Sequence, residues 1–115
     1  MSETALSRAI REAVAYLPGV LVWRNNTGKL QDRNGRWVTF GLGVGSADLV
    51  GLVDGRFFAL EVKLPGEEPT KEQTCWHQSV RNVGGFCRVV RSVEEAVLAV
   101  SRCRRAEGRR ASPSR

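Results

Sequence analysis

Apolar positions along the chain follow two rhythms, one helical and one alternating. Leu6, Ile10, Ala13, Val14 and Leu17 share a stripe at helical spacing, which predicts an amphipathic helix over Ser2 to Leu17. Ser2 is its N-cap and Pro18-Gly19 its stop. Val20 to Asn25 (VLVWRN) predicts a strand, and Asn26-Thr27-Gly28 a turn or loop. Between Leu30 and Phe40, a turn at Asp32-Arg33-Asn34-Gly35 leads into a second strand, RWVTF. Ser46 to Lys63 (SADLVGLVDGRFFALEVK) predicts two apolar strands joined at Asp54-Gly55, a dipeptide that favours a two-residue hairpin turn. After a polar loop, Thr70 caps a helix from Lys71 to about Val83, with Gln73 as capping-box partner. Gln73, Trp76, Val80 and Val83 or Gly84 form its inner face. Phe86 to Arg91 (FCRVVR) predicts a short strand, and Ser92 caps a final helix, SVEEAVLAVSRCRR.

Helices and strands alternate only late in this order, which predicts a mixed-sheet α/β domain rather than a dinucleotide-binding fold. The strand at Phe86–Arg91 follows a helix, so it is expected parallel to a hairpin strand through a right-handed crossover. The domain covers 1–103, and 104–115 reads as a basic, disordered tail. The run Gly41-Leu42-Gly43-Val44-Gly45 lacks the pattern of a phosphate-binding loop; it is expected to let the backbone turn or approach closely just before Asp48.

The hairpin carries the candidate chemistry. A two-residue loop pairs Val53 with Arg56, then Leu52–Phe57, Gly51–Phe58, Val50–Ala59 and Leu49–Leu60. The next pair is Asp48 opposite Glu61, with Cβ atoms roughly 4.5–5.5 Å apart. Lys63 shares their face by strand alternation. Two carboxylates that close, beside Val50, Leu52, Phe57 and Ala59, repel one another and are poorly solvated. A Mg²⁺ or Mn²⁺ ion relieves the repulsion, with the backbone carbonyl of Val62 as a third oxygen. Such an ion polarises a phosphoryl oxygen and activates a water. Lys63 then orients that water, stabilises developing charge or acts as base. An Asp at a strand start and a Glu–Lys surface pair would give the same spacing, although the apolar run FFALEV argues for burial.

Charge sharpens this reading. A formal charge of +6 and a pI near 10.0 suggest a polyanionic partner, nucleic acid before membrane surface. Arg24, Asn25, Asn26, Lys29, Arg33 and Arg36, interleaved with Trp23 and Trp37, suit phosphate and base contact. A solvated hairpin with two core tryptophans accounts for the same residues. Three widely spaced cysteines resemble neither a disulfide framework nor a metal pair. With no signal peptide or membrane-length run, a cytoplasmic protein is expected. His77 lies two residues from Cys75 on a predicted helix, on a different face, which argues against zinc. Trp76 is read as core or dimer interface, and Cys87 and Cys103 as small buried residues.

The stretches ETALSRAIREAVAYL, WRNNTG, GVGSADLVG, FALEVK, TKEQTCW and VVRSVEEA, in this order, resemble the PD-(D/E)xK nuclease superfamily. More narrowly they resemble the VRR-NUC (virus-type replication-repair nuclease) domain, which includes small stand-alone phage and bacterial proteins. The resemblance implies a restriction-endonuclease-like αβββαβ core, with a mixed sheet flanked by helices, and metal-dependent hydrolysis of DNA. On matching positions it implies Asp48 and Glu61 as metal ligands and Lys63 as the catalytic lysine. Glu3 becomes the first-helix acid, reaching the metal directly or through water, instead of a first-turn acid favoured by the helix dipole. Gln73 contacts the lysine or the attacking water in addition to, or instead of, capping its helix. Arg24, Asn25, Asn26, Lys29 and Ser46 are the implied substrate contacts. Ala47 stands where the superfamily carries proline, a difference that concerns backbone shape.

By analogy with Holliday junction resolvases the chain is expected to dimerise and to cut branched DNA, leaving 5′-phosphate and 3′-hydroxyl ends. No small-molecule cofactor is expected. A non-catalytic nucleic-acid-binding module with the same fold is the alternative. A toxin inhibitor or other protein-interaction domain has less behind it.

Overall fold

A computed structural model describes residues 1–111, with side chains through Arg105, and resolves nine elements. These are α1 (Glu3–Ala15), β1 (Val20–Arg24), β2 (Gly28–Gln31), β3 (Trp37–Phe40), β4 (Leu49–Val53), β5 (Arg56–Val62), α2 (Lys71–Asn82), β6 (Phe86–Val90) and α3 (Val93–Ala111). The main sheet has the order β1-β4-β5-β6, antiparallel except for the parallel β5–β6 pair. The fold is α/β, a mixed sheet flanked by helices. Without β2 and β3 its order is αβββαβ, followed by α3.

Local chemistry sets the element ends. Ser2 Oγ accepts from Ala5 N at 3.0 Å and caps α1. Asp54 (φ 51°) and Gly55 (φ 84°) are both left-handed, the signature of the two-residue turn whose twist matches its strands. The register follows: Val53 pairs with Arg56 and Leu49 with Leu60, as expected. Gly45 is also left-handed, and a Cβ there would strike the backbone of Glu72 and Gln73, so this glycine lets the loop before Asp48 rest on the first turn of α2.

Alternation along the strands divides the core in two. Leu49, Val53, Phe58, Leu60 and Val62 bury against Leu6, Ile10 and Val14 of α1 and Ala96, Val100 and Cys103 of α3. Each fully buried aliphatic side chain contributes roughly 1.5–3 kcal/mol. On the other face Ala59 and Cys87 pack beneath Trp76 and Val80 of α2, which makes Trp76 a core residue. Cys87 and Cys103 are buried and Cys75 is exposed.

Two expectations need correction. The chain has one more strand than predicted, because Gly28–Gln31 pairs with Trp37–Phe40 in a separate two-stranded sheet. Trp23 and Trp37 are not core residues; they are 51% and 67% exposed. The inner face of α2 carries Gln73, Trp76 and Val80 as expected and His77 besides; of Val83 and Gly84 it is Gly84 that is half-buried, while Val83 is 86% exposed. In addition, α3 continues past Arg104 to Ala111, through a segment made mostly of good helix formers. Residues 112–115 of the expected tail lie outside the described residues. Among the described residues, no helix is long and apolar enough to cross a membrane.

Candidate active site

Asp48 is half-buried, one residue before the β4–β5 ladder begins at Leu49–Leu60. Its backbone still serves the sheet, since its carbonyl accepts from Asn25 N at 2.8 Å. Its side chain replaces the missing ladder bond: Oδ2 accepts from Val62 N at 2.8 Å. This carboxylate is thereby tied to the strand that carries Glu61.

Glu61 is 1% exposed. Burial is the main reason its carboxyl is pushed up to about 9. A hydrogen bond to Asp48 and the charge of Asp48 raise it further, while Lys63 opposes the shift. At neutral pH Glu61 therefore keeps its proton and donates it to Asp48. The repulsion expected between two carboxylates is relieved here by a proton.

Helix α2 holds both oxygens of Glu61. Gln73 Nε2 donates to Oε2 at 3.4 Å, and His77 Nε2 lies 3.1 Å from Oε1. Gln73 also fills its expected capping role, since its Oε1 accepts from Thr70 N at 2.8 Å and completes the capping box; its other contact is with Glu61. His77 is 2% exposed, and burial lowers its pKa, so the pair is a neutral imidazole and a neutral acid. Sequence reasoning missed His77 because it was weighed against Cys75. The useful spacing is Gln73 to His77, four residues and one helical face.

Glu3, on the first turn of α1, faces the same charges. Its carboxyl is raised first by burial and then by a hydrogen bond to Glu67, with Lys63 pulling the other way. Glu67 is lowered, by the Leu64 N–H (2.9 Å) and by Glu3 as donor. Glu67 is a second residue that sequence reasoning passed over, in a loop read only as polar. Lys63, 9% exposed, sits within electrostatic reach of Glu3, Glu61 and Glu67.

A cleft of about 280 Å³ opens beside these groups, and Glu3 and Asp48 form part of its wall. Arg24, Asn25, Asn26 and Ser46 line it too, whereas Lys29 stands outside on the β2–β3 hairpin. Asn25 and Ser46 hold the wall together. Asn25 Nδ2 donates to Ser46 Oγ (2.8 Å) and to the Ala47 carbonyl (2.9 Å). Ser46 Oγ donates to the Gly43 carbonyl at 2.7 Å, so Thr27 Oγ1, 3.0 Å away, is the donor to Ser46. Glu61 and Lys63 are not wall residues.

Asp48, Glu61, Lys63, Gln73 and Glu3 are thus brought together from α1, the two hairpin strands and α2. Among the described residues no group of three or more His, Cys, Asp or Glu side chains forms a metal cage on its own. Two carboxyls and a backbone carbonyl nonetheless suit Mg²⁺ or Mn²⁺, which retain several waters alongside one or two carboxylates. The proton between Asp48 and Glu61 marks the position where a cation would compete. No protein-family model matches the chain, and a search of the curated proteins finds no match either.

Proposed function

We propose that the chain is a Mg²⁺- or Mn²⁺-dependent endodeoxyribonuclease of the VRR-NUC type that hydrolyses phosphodiesters in branched DNA. One observation carries this reading. A buried acid, Glu61, shares its proton with a second acid, Asp48, at the edge of a cleft that also holds three arginines. Burying a second carboxyl beside the first costs stability unless another role is served. A hard cation that replaces the shared proton supplies that role.

Asp48 and Glu61, with the Val62 carbonyl, would hold the cation, which would polarise the phosphate and acidify a water. Lys63 places its positive charge toward the phosphate oxygens as a water oxygen attacks phosphorus and the P–O3′ bond breaks. The 3′-oxygen leaves as a hydroxyl, taking up a proton in place of the one the attacking water gives up, and the phosphate remains on the 5′ end. Gln73 and His77 orient Glu61, and Glu3, hydrogen-bonded to Glu67, would be available to a cation directly or through water.

A cation titration tests the site. Mg²⁺ or Mn²⁺ raises the melting temperature of the wild type and leaves Asp48→Ala and Glu61→Ala unchanged. Incubation with duplex, flap and four-way junction DNA then gives cation-dependent cleavage with a preference for the branched substrates. Equal cation shifts in all three proteins would refute the metal site. A clean shift without cleavage of any substrate would leave a nucleic-acid-binding module in place of an enzyme.

A further inference from the structure

The cleft has a second set of residues, on α1, of which the proposed chemistry uses only Glu3. Glu3, Thr4, Ser7, Arg8 and Arg11 all line it, so one stripe of the helix faces the cleft from Glu3 to Arg11. Arg24, at the end of β1, joins Arg8 and Arg11 there. Among the described residues none of these three guanidiniums has a hydrogen-bond or ion-pair partner. Arg8 and Arg11 are exposed and three residues apart on the helix, where like charges destabilise it slightly. They are arranged for an outside anion.

The walls also narrow the choice of ligand. Among the described residues no aromatic or large apolar side chain lines the cleft. Small-molecule sites are mostly apolar and enclosed, so a metabolite is a poor fit. Base stacking has no platform there either. What remains is a chain of phosphates recognised by charge and by forked guanidinium donors.

We infer that the α1 stripe and Arg24 form a track for the phosphate backbone of the DNA strand that is cut. The acidic end, Glu3 with Asp48, faces the scissile phosphate, and Arg8, Arg11 and Arg24 take the phosphates on one side of it. Glu3 to Arg11 spans about 12 Å along the helix axis, at about 1.5 Å per residue. Binding by this track is independent of base sequence and weakens steeply with salt. The position of the cut rests on the nuclease reading; the phosphate track does not.

The test is fluorescence anisotropy with a short labelled DNA strand and its duplex, in EDTA, over a series of salt concentrations. Arg8→Ala/Arg11→Ala weakens binding at least tenfold and makes the salt slope shallower by about 1.4–1.8, that is, about 0.7–0.9 for each phosphate no longer neutralised. Arg8→Lys/Arg11→Lys keeps most of the slope. Arg102→Ala/Arg105→Ala removes the same net charge outside the cleft and leaves affinity within about twofold. Unchanged affinity in the first variant, or equal losses in the first and third, would overturn the track. If the first variant loses binding while wild-type protein shows no cation-dependent cleavage, the nuclease reading falls and the track stands.

Discussion

Glu61 shows what a single buried acid imposes on the molecule. Its folded pKa, about 9, lies above the ordinary value of 4.5. Below pH 4.5 both folded and unfolded forms are protonated and the shift has no effect. Between about 4.5 and 9 the unfolded chain releases this proton and the folded chain keeps it, so stability falls as pH rises. The nominal slope is about 1.4 kcal/mol per pH unit. Glu61→Gln keeps a neutral donor for Asp48 and removes this dependence. The variant is expected to melt higher than wild type at pH 8 in EDTA, with the gap closing toward pH 5, and to lose its response to Mn²⁺. Calorimetry across pH checks both; a gap that does not change with pH would show that Glu61 is charged in the folded state. A position that is more stable once made inert is the usual mark of a site kept for function.

At the scale of elements, α2 is a helix whose capping residue also reaches the site. Thr70→Ala removes one bond of the capping box and costs about 1 kcal/mol, a fall in melting temperature of about 4 °C, without changing the cation response. Gln73→Ala lowers stability by a similar amount and weakens cation binding as well, because Gln73 Nε2 holds Glu61. His77→Ala is expected to weaken the apparent cation affinity about 10–100-fold by freeing Oε1. Thermal-shift titrations separate the three; identical cation curves for wild type and His77→Ala would remove His77 from the site.

The hairpin was legible in the sequence for a physical reason. Asp54-Gly55 specifies one turn, one turn specifies one register, and alternation then places Asp48, Glu61 and Lys63. Other features were not legible. That His77 joins the inner face of α2 depends on the buried Glu61 it meets on the sheet, which no local pattern encodes. Strand β2 was hidden because GKLQ has little β-propensity, and its pairing comes from the turn at Asp32–Gly35.

For the whole molecule, the unmet need is cover for apolar surface. Helix α2 packs over β6, and Leu21, Trp23, Leu52 and Phe57 on the same face remain at least 36% exposed. On the β2–β3 hairpin, Leu30, Val38 and Phe40 share one face and are 40–63% exposed. Among the described residues no other element packs closely on this two-stranded sheet, and such a sheet alone is marginal in water. A second copy seated on these faces would satisfy them, and a dimer would present two sites to the two strands of a junction. Light scattering of the wild type is expected to give a dimer, strengthened by salt because each chain carries +6. Leu30→Glu/Phe40→Glu is expected to give a folded monomer; a wild type that stays monomeric at every concentration would contradict the dimer.

The proposed catalysis at the β4–β5 hairpin is tested most directly by a single gel. A labelled four-way junction is incubated with wild type or Lys63→Ala, with Mg²⁺ or Mn²⁺ and with EDTA. The expected result is cation-dependent cleavage by the wild type, and a Lys63→Ala protein that binds the junction with unchanged affinity and does not cut it. Cleavage by Lys63→Ala at the wild-type rate would contradict a catalytic role for this site.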